Sequence, residues 1–211
     1  MFNVCPSCGQ YVVEKEIRPS GPGCAQAICP ARGYAHPFAH LPLFVITGAS
    51  GAGKSSMCLA AAAHDRQHVH LELDILWGAL PASPADDYAG YYTPWLRLAR
   101  NVAQGGRPVV LYGSAHPGQL EPSPERRYFS QVHYLALVCA PETLAARLHA
   151  RPAWRASGSA EFIDNMLAYN AWFQAQALLP GSKIELLDTT GRSPEDTMAG
   201  LLAWLAARST A

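Results

Sequence analysis

The segment that most narrows the possible folds is Gly48-Ala49-Ser50-Gly51-Ala52-Gly53-Lys54-Ser55. It follows Leu41-Pro42-Leu43-Phe44-Val45-Ile46-Thr47 and precedes Ser56-Met57-Cys58-Leu59-Ala60-Ala61-Ala62-Ala63. A β-branched and aromatic run, a Gly-rich loop and an Ala-rich helix, in that order, form a phosphate cradle. The glycines let successive N–H groups point inward, and the helix N-terminus adds positive potential at the same spot. Lys54 can then reach the β- and γ-phosphates of a nucleotide, and the Ser55 hydroxyl can ligate magnesium.

A parallel α/β sheet follows from such a start, and the rest of the chain alternates accordingly. Strands are expected at 69–73, 108–112, 133–138 and 183–187, with helices at 94–104, 141–150, 160–179 and 194–208. The last helix is marked by Ser193 as N-cap, Pro194 at the first position and Glu195 and Asp196 in the first turn. Met198, Leu201, Leu202 and Leu205 then share one face. Right-handed crossovers give a doubly wound, five-stranded parallel sheet with the nucleotide at the strand C-termini.

Residues at the other strand ends should decide the chemistry. Counting the run at 43–47 as the first strand, alternation along the second, at 69–73, directs Glu72 and Asp74 to one face and puts Asp74 at the lip near the γ-phosphate. An acid there can accept a proton from an attacking hydroxyl or hold magnesium through water, or serve as a helix N-cap. Glu72 lies deeper and reads as a supporting group, and His68 and His70 as packed strand residues. The third strand ends Leu111-Tyr112-Gly113, without the magnesium-organising Asp expected of a motor or signalling NTPase. Ser114 and His116 follow, either as acceptor or magnesium contacts or as a polar loop.

Past the fourth strand, Arg147, Arg151 and Arg155 recur every fourth residue on a segment broken by Pro152. Guanidinium groups on a segment that closes can neutralise a phosphoryl group in transfer while excluding water. On the next helix Phe162, Met166, Tyr169 and Phe173 have core spacing, which leaves Asp164, Asn165 and Asn170 as polar candidates for acceptor contact.

Residues 48–55, Asp74, the arginines of 147–155 and Leu186-Leu187-Asp188-Thr189-Thr190-Gly191 together resemble the small P-loop kinases, the group of nucleoside monophosphate, shikimate, gluconate and chloramphenicol kinases. The resemblance spans residues 43–208 and implies a three-layer αβα P-loop sandwich. It implies an ATP- and magnesium-dependent transfer of the γ-phosphate to a small hydroxyl- or phosphate-bearing acceptor, such as a nucleoside or nucleotide. Lys54, Asp74, Arg151 and Arg155 would be catalytic. Nucleotide would be held by Gly48, Ala49, Ser50, Gly51, Ala52, Gly53, Lys54, Ser55, Ser56 and Arg147, with Thr189, Thr190 and Gly191 against adenine. Two rival readings are a nucleic-acid-end kinase or nucleic-acid-binding ATPase, and a nucleotide-dependent switch without transfer.

The N-terminal segment follows other rules. Cys5-Pro6-Ser7-Cys8-Gly9 is followed, after fifteen residues, by Cys24 and then by Cys29. Thiolates at these spacings can close a tetrahedral shell, and about forty residues can hardly build a core without a staple, so Cys5, Cys8, Cys24 and Cys29 are expected to hold a structural zinc. Two disulfides or free thiols are the alternative, and His36 or His40 could replace a cysteine. The segment resembles a zinc ribbon; Pro19 to Pro42 reads as loop and linker, dividing the chain into 1–40 and a kinase-like 41–211 with its lid near 147–160. The 16 basic and 16 acidic side chains leave zero net charge, which disfavours a dedicated polyanion or membrane-surface binder. With no apolar run near the roughly 20 residues a bilayer requires and a Cys pair where a signal peptide would begin, a cytoplasmic protein is expected.

Overall fold

A computed structural model describes residues 3–155 and 157–209. Met1, Phe2, Ala156, Thr210 and Ala211, which fall within the expected domains and lid, lie outside the described residues.

The N-terminal segment forms β1 (Glu16–Gly21), β2 (Cys24–Ile28) and β3 (Ala35–Ala39), an antiparallel sheet in the order β1-β2-β3. The stretch expected to be loop and linker is therefore largely strand. Its pattern is weak because the buried positions are few, Ala25, Ala27 and Phe38, and two of them are alanines, while β1 is almost wholly exposed. Ala25, Ala27 and Phe38 pack on Tyr128, remote in sequence. Polar contacts complete the docking: the Gln104 amide donates to Ala39 O (3.2 Å) and accepts from Ala39 N (2.9 Å), Arg127 pairs with Glu14 (3.1 Å), and the Tyr128 hydroxyl donates to Val13 O.

From residue 43 the chain follows the expected alternation. β4 (Leu43–Thr47) is buried at every position and leads through the Gly-rich loop into α1 (Lys54–His64). Then come β5 (Val69–Glu72), α2 (Ala89–Val102), β6 (Val109–Tyr112), the short α3 (Pro117–Leu120), β7 (Val132–Val138), α4 (Pro141–His149), α5 (Ala160–Ala177), β8 (Ile184–Asp188) and α6 (Pro194–Ser209). The five strands are parallel in the order β5-β6-β4-β7-β8. Strand order reverses around β4, which places the Gly-rich loop at the topological switch point. One face buries Tyr91, Trp95, Leu96 and Phe173 of α2 and α5; the other buries Met57, Cys58, Leu201 and Leu205 of α1 and α6.

Helix α2 begins at Ala89, five residues before the expected start at Pro94. Proline favours a first helical turn, but burial of Tyr91 (2% exposed) and Tyr92 (6%) extends the helix N-terminally. Among the described residues no helix is long and apolar enough to cross a membrane.

Candidate active site

The loop that joins β4 to α1 is shaped by contact as much as by conformation. Gly48 has φ 131°, and a β-carbon there would lie 2.3 Å from Leu137 O of β7, so no side chain fits. Lys54 folds back over this loop, its Nζ donating to Gly48 O (2.8 Å) and Ala49 O (3.0 Å). Burial pushes its ammonium down to about 8; Arg151 acts in the same direction, and the charges of Asp74 and Glu72 oppose it.

The Ser55 hydroxyl donates to the Glu72 carboxylate at the end of β5. Glu72 is thus in direct contact with the loop serine. β5 ends at Glu72, and Leu73–Leu76 form a 3-10 turn, so Asp74 leaves the strand alternation and lies exposed at the lip. It remains within electrostatic reach of Lys54 and Arg151. At the third-strand position, where no acid stands, Leu73 fills the space beside Gly113: a β-carbon there would meet its side chain at 2.5 Å. Glu72, one strand over and in register with Tyr112, brings a carboxylate to the loop instead.

Arg147, Arg151, Thr189 and Arg192 line a cleft of about 360 Å³ with Gly51 and Gly53. Arg147 donates to Thr189 Oγ1 (2.9 Å) and Thr189 O (3.0 Å), which ties α4 to the loop after β8. Thr190 accepts from Ala140 N (2.7 Å), and Gly191 turns the chain at φ 64°. Arg155 is exposed and stacks its guanidinium over Trp154 at 4.8 Å; its positive charge reaches Arg151. Sequence reasoning missed Arg192, whose position just past the Thr189–Gly191 loop was the available signal.

Of the polar candidates on α5, Asn170 is excluded from acceptor contact. It is buried and bridges the Cys139 backbone, accepting from N (3.2 Å) and donating to O (2.9 Å). His68 and His70 are likewise structural: both bond the same Asp65 oxygen, at 2.7 and 3.1 Å, and His70 also contacts the Tyr112 hydroxyl (2.9 Å).

A second cavity, about 410 Å³, opens beside the loop at the ends of β5 and β6. Trp77, Tyr88, Tyr92 and Tyr169 supply its aromatic walls, and Asp87, Ser114, His116 and Gln119 its polar groups. Ser114 Oγ donates to Gly48 O (3.3 Å), the carbonyl that Lys54 also holds, so cavity and lysine adjoin.

In the N-terminal sheet the sulfurs of Cys5, Cys8 and Cys29 lie within 4.8 Å of one another, and Cys8 and Cys29 are 3.8 Å apart. A tetrahedral shell with metal–sulfur bonds of about 2.3 Å separates its sulfurs by roughly 3.8 Å. Two matching turns present them. Gly9 N donates to Cys5 O and Gly33 N to Cys29 O, both 2.8 Å, while Cys5 N and Cys29 N donate to Gln10 O and Tyr34 O, both 2.9 Å. Cys24 is not in the cluster: it opens β2, at the opposite end of that strand from Cys29. The true internal repeat is Cys5-Pro6-Ser7-Cys8-Gly9 against Cys29-Pro30-Ala31-Arg32-Gly33, with Arg32 where a fourth cysteine would stand. That Cys-Pro-x-x-Gly repeat was legible in the sequence; the Cys24–Cys29 spacing obscured it.

The architecture is the three-layer αβα fold of the small P-loop kinases. A sugar kinase from Janibacter sp. HTCC2649 superposes with a TM-score of 0.55 at 20% identity, covering 81% of this chain and 97% of that one. A gluconokinase from Sinorhizobium meliloti 1021 gives 0.52 at 20% identity over 81% and 95% of the two chains. A deoxyadenosine kinase from M. mycoides gives 0.51 at 12% identity over 78% and 99%. No protein-family model matches the sequence, and no curated protein matches it.

Proposed function

We propose that this protein is an ATP- and magnesium-dependent phosphotransferase acting on a small hydroxyl-bearing acceptor. The observation that carries this reading is the convergence of Lys54, Glu72, Asp74 and Arg151 at the mouth of the Gly-rich loop, between the Arg-lined cleft and the aromatic cavity.

ATP lies with its triphosphate in the loop, its β- and γ-oxygens taking the hydrogen bonds Lys54 now gives to Gly48 and Ala49. Arg147, held by Thr189, and Arg192 flank the nucleotide. The acceptor oxygen attacks the γ-phosphorus as the bond to the bridging oxygen breaks; ADP leaves, and Asp74 takes the hydroxyl proton. Arg151, with Arg155 behind it, spreads the charge that builds on the transferred group. Ser55 and Glu72 provide the hard oxygen donors magnesium prefers, and the ion would offset charge on the β- and γ-phosphates.

Cys5, Cys8 and Cys29 are suited to zinc, with a fourth position that no cysteine of this chain fills. Residues 1–40 then act as a docked brace. Of the segment's three cations Lys15 is buried and Arg18 pairs with Glu16, which leaves exposed Arg32, too little positive surface for nucleic acid, and favours bracing.

The test is ATP consumption with and without a panel of nucleosides, nucleotides, sugars and antibiotics. Acceptor-dependent ADP formation that Lys54→Ala and Asp74→Asn each abolish, with only Lys54→Ala weakening ATP binding, supports the reading. Full turnover by Asp74→Asn removes the base from it.

A further inference from the structure

The aromatic cavity has a chemistry of its own, and its parts come from three distant segments. Trp77, Tyr88 and Tyr92 follow β5, Ser114, His116 and Gln119 follow β6, and Tyr169 comes from α5. The tyrosines and tryptophan are mutually arranged: Trp77 and Tyr88 ring centroids are 6.4 Å apart, as are those of Tyr88 and Tyr92, and Tyr169 stacks on Trp172 at 5.8 Å and 22°. The Trp77–Tyr88 pair is tilted by 36° and the Tyr88–Tyr92 pair meets edge to face at 69°, so the walls offer a flat ligand both ring faces and ring edges.

The polar groups restrict the ligand further. No Lys or Arg lines the cavity among the described residues. The one formally charged lining group is Asp87, whose Oδ1 accepts from the Gln119 amide (3.1 Å), and Gln119 Oε1 in turn accepts from His116 N (3.3 Å). Burial holds His116 below its ordinary value, so the cavity gains no cation from it near neutrality. A phosphate or carboxylate placed here would face a carboxylate with nothing to neutralise it. A ring N–H or exocyclic amine would instead find an acceptor in Asp87.

The backbone at this point is also unusual. Asp87 and Tyr88 are consecutive non-glycine residues in the left-handed region, at φ 49° and 62°. Such a pair persists where the surrounding structure insists on it, and it clusters at ligand sites. Here the turn is held by Asp87 N to Pro84 O (3.2 Å) and Tyr88 N to Ser83 O (2.9 Å), which aims one carboxylate and one ring at the same space.

We infer that the cavity takes an uncharged, hydroxyl-bearing compound with a flat heteroaromatic ring, the chemistry of a nucleoside, with Asp87 reading ring N–H or amino groups and the faces and edges of Tyr88, Tyr92 and Tyr169 packing around the ring. The inference rests on the phosphotransferase reading for what happens to the hydroxyl, but binding itself does not need it. Ser114 ties the cavity wall to the carbonyl under Lys54, so a ribose-like arm extending from the ring points toward the γ-phosphate.

The experiment is calorimetric titration of the full chain, saturated with ADP to occupy the nucleotide cleft, with adenosine, guanosine, cytidine, uridine, the corresponding monophosphates, gluconate and glucose. Parallel transfer assays use ATP. At least one nucleoside should bind and be phosphorylated with kcat/KM about 100-fold above its monophosphate and above gluconate. Asp87→Asn, which tolerates the left-handed backbone, should raise the nucleoside KM about tenfold while leaving ATP affinity unchanged; Tyr169→Leu should act likewise. Preferred turnover of gluconate or a monophosphate, absence of nucleoside binding, or a KM unmoved by Asp87→Asn each overturns the inference. Nucleoside binding that depends on Asp87 but is followed by no transfer upholds the cavity assignment and sinks the phosphotransferase reading alone.

Discussion

The Ser55 hydroxyl donates to Glu72, a carboxylate two strands from β4 in the sheet order, and this contact supplies the loop with the acid that the neighbouring strand lacks. Replacing Glu72 by Gln keeps the shape and removes the charge. The magnesium concentration for half-maximal activity should rise about tenfold and kcat should fall by about 100-fold, the scale of losing one charge-stabilising group. Nucleotide binding measured without magnesium should hardly change. Magnesium titration of the variant against the parent checks this.

Lys54 makes nucleotide binding pH-dependent. Its ammonium is held down to about 8 in the free protein, chiefly by burial, and a triphosphate restores its charge. Binding near pH 8.5 should therefore take up protons, and affinity should decline as pH rises through and beyond about 8. Calorimetry in two buffers of different ionisation enthalpy measures the uptake. In Lys54→Met the uptake should vanish along with most of the affinity.

The cysteine cluster separates residues that spacing alone grouped together. Cys24→Ser should leave bound zinc near one equivalent, whereas Cys8→Ser or Cys29→Ser should strip it. Arg32→Cys completes the second turn and should tighten zinc binding by at least about tenfold. Metal analysis of protein purified without chelator, followed by competition with a chromogenic chelator, reads all four variants.

Acid should unfold the protein earlier than its carboxylates require. Burial holds His70, His116 and His133 below the ordinary value of 6.5. Below that pH the unfolded chain takes up protons that the folded chain refuses, so stability is full above about 6.5 and declines as pH falls. Each refused proton costs up to about 1.4 kcal/mol per pH unit. Asp65 adds a later loss: against its burial, Gln67 N–H and the two histidines hold it below its usual range, so its contribution disappears only in stronger acid. Urea unfolding at pH 7.5, 6.5 and 5.5 should show the decline, and His70→Gln should flatten it.

Much of the frame was legible in the chain. Residues 48–55 name their own conformation because glycines, a lysine and a hydroxyl at those positions serve one local loop. β4, β6 and β7 announce themselves by continuous apolar runs, since strands buried on both faces have no polar side to show. Helix α6 is bounded by its Ser193 cap, whose Oγ accepts from Asp196 N at 3.0 Å as expected. Arg147 and Arg151 reach one cleft although α4 ends at His149, because the turn that follows, with Arg151 N donating to Leu148 O at 3.3 Å, continues the chain along the same side.

Other relationships needed the assembled chain. Glu72 was read by alternation as lying deeper than Asp74, but alternation describes one strand and cannot say that β5 ends there or that Ser55 sits within reach. Cys24 and Cys29 are near in sequence and far apart in space because β2 is extended, while Cys5 and Cys29 are remote in sequence and adjacent in space. The aromatic cavity draws on residues 77–92, 114–119 and 169, which no periodicity connects. Sequence patterns report repeats of two and of about 3.6 residues, so they determine loops, elements and the faces of elements. Which distant side chains meet depends on strand order, and that order is decided only when all the faces are buried together.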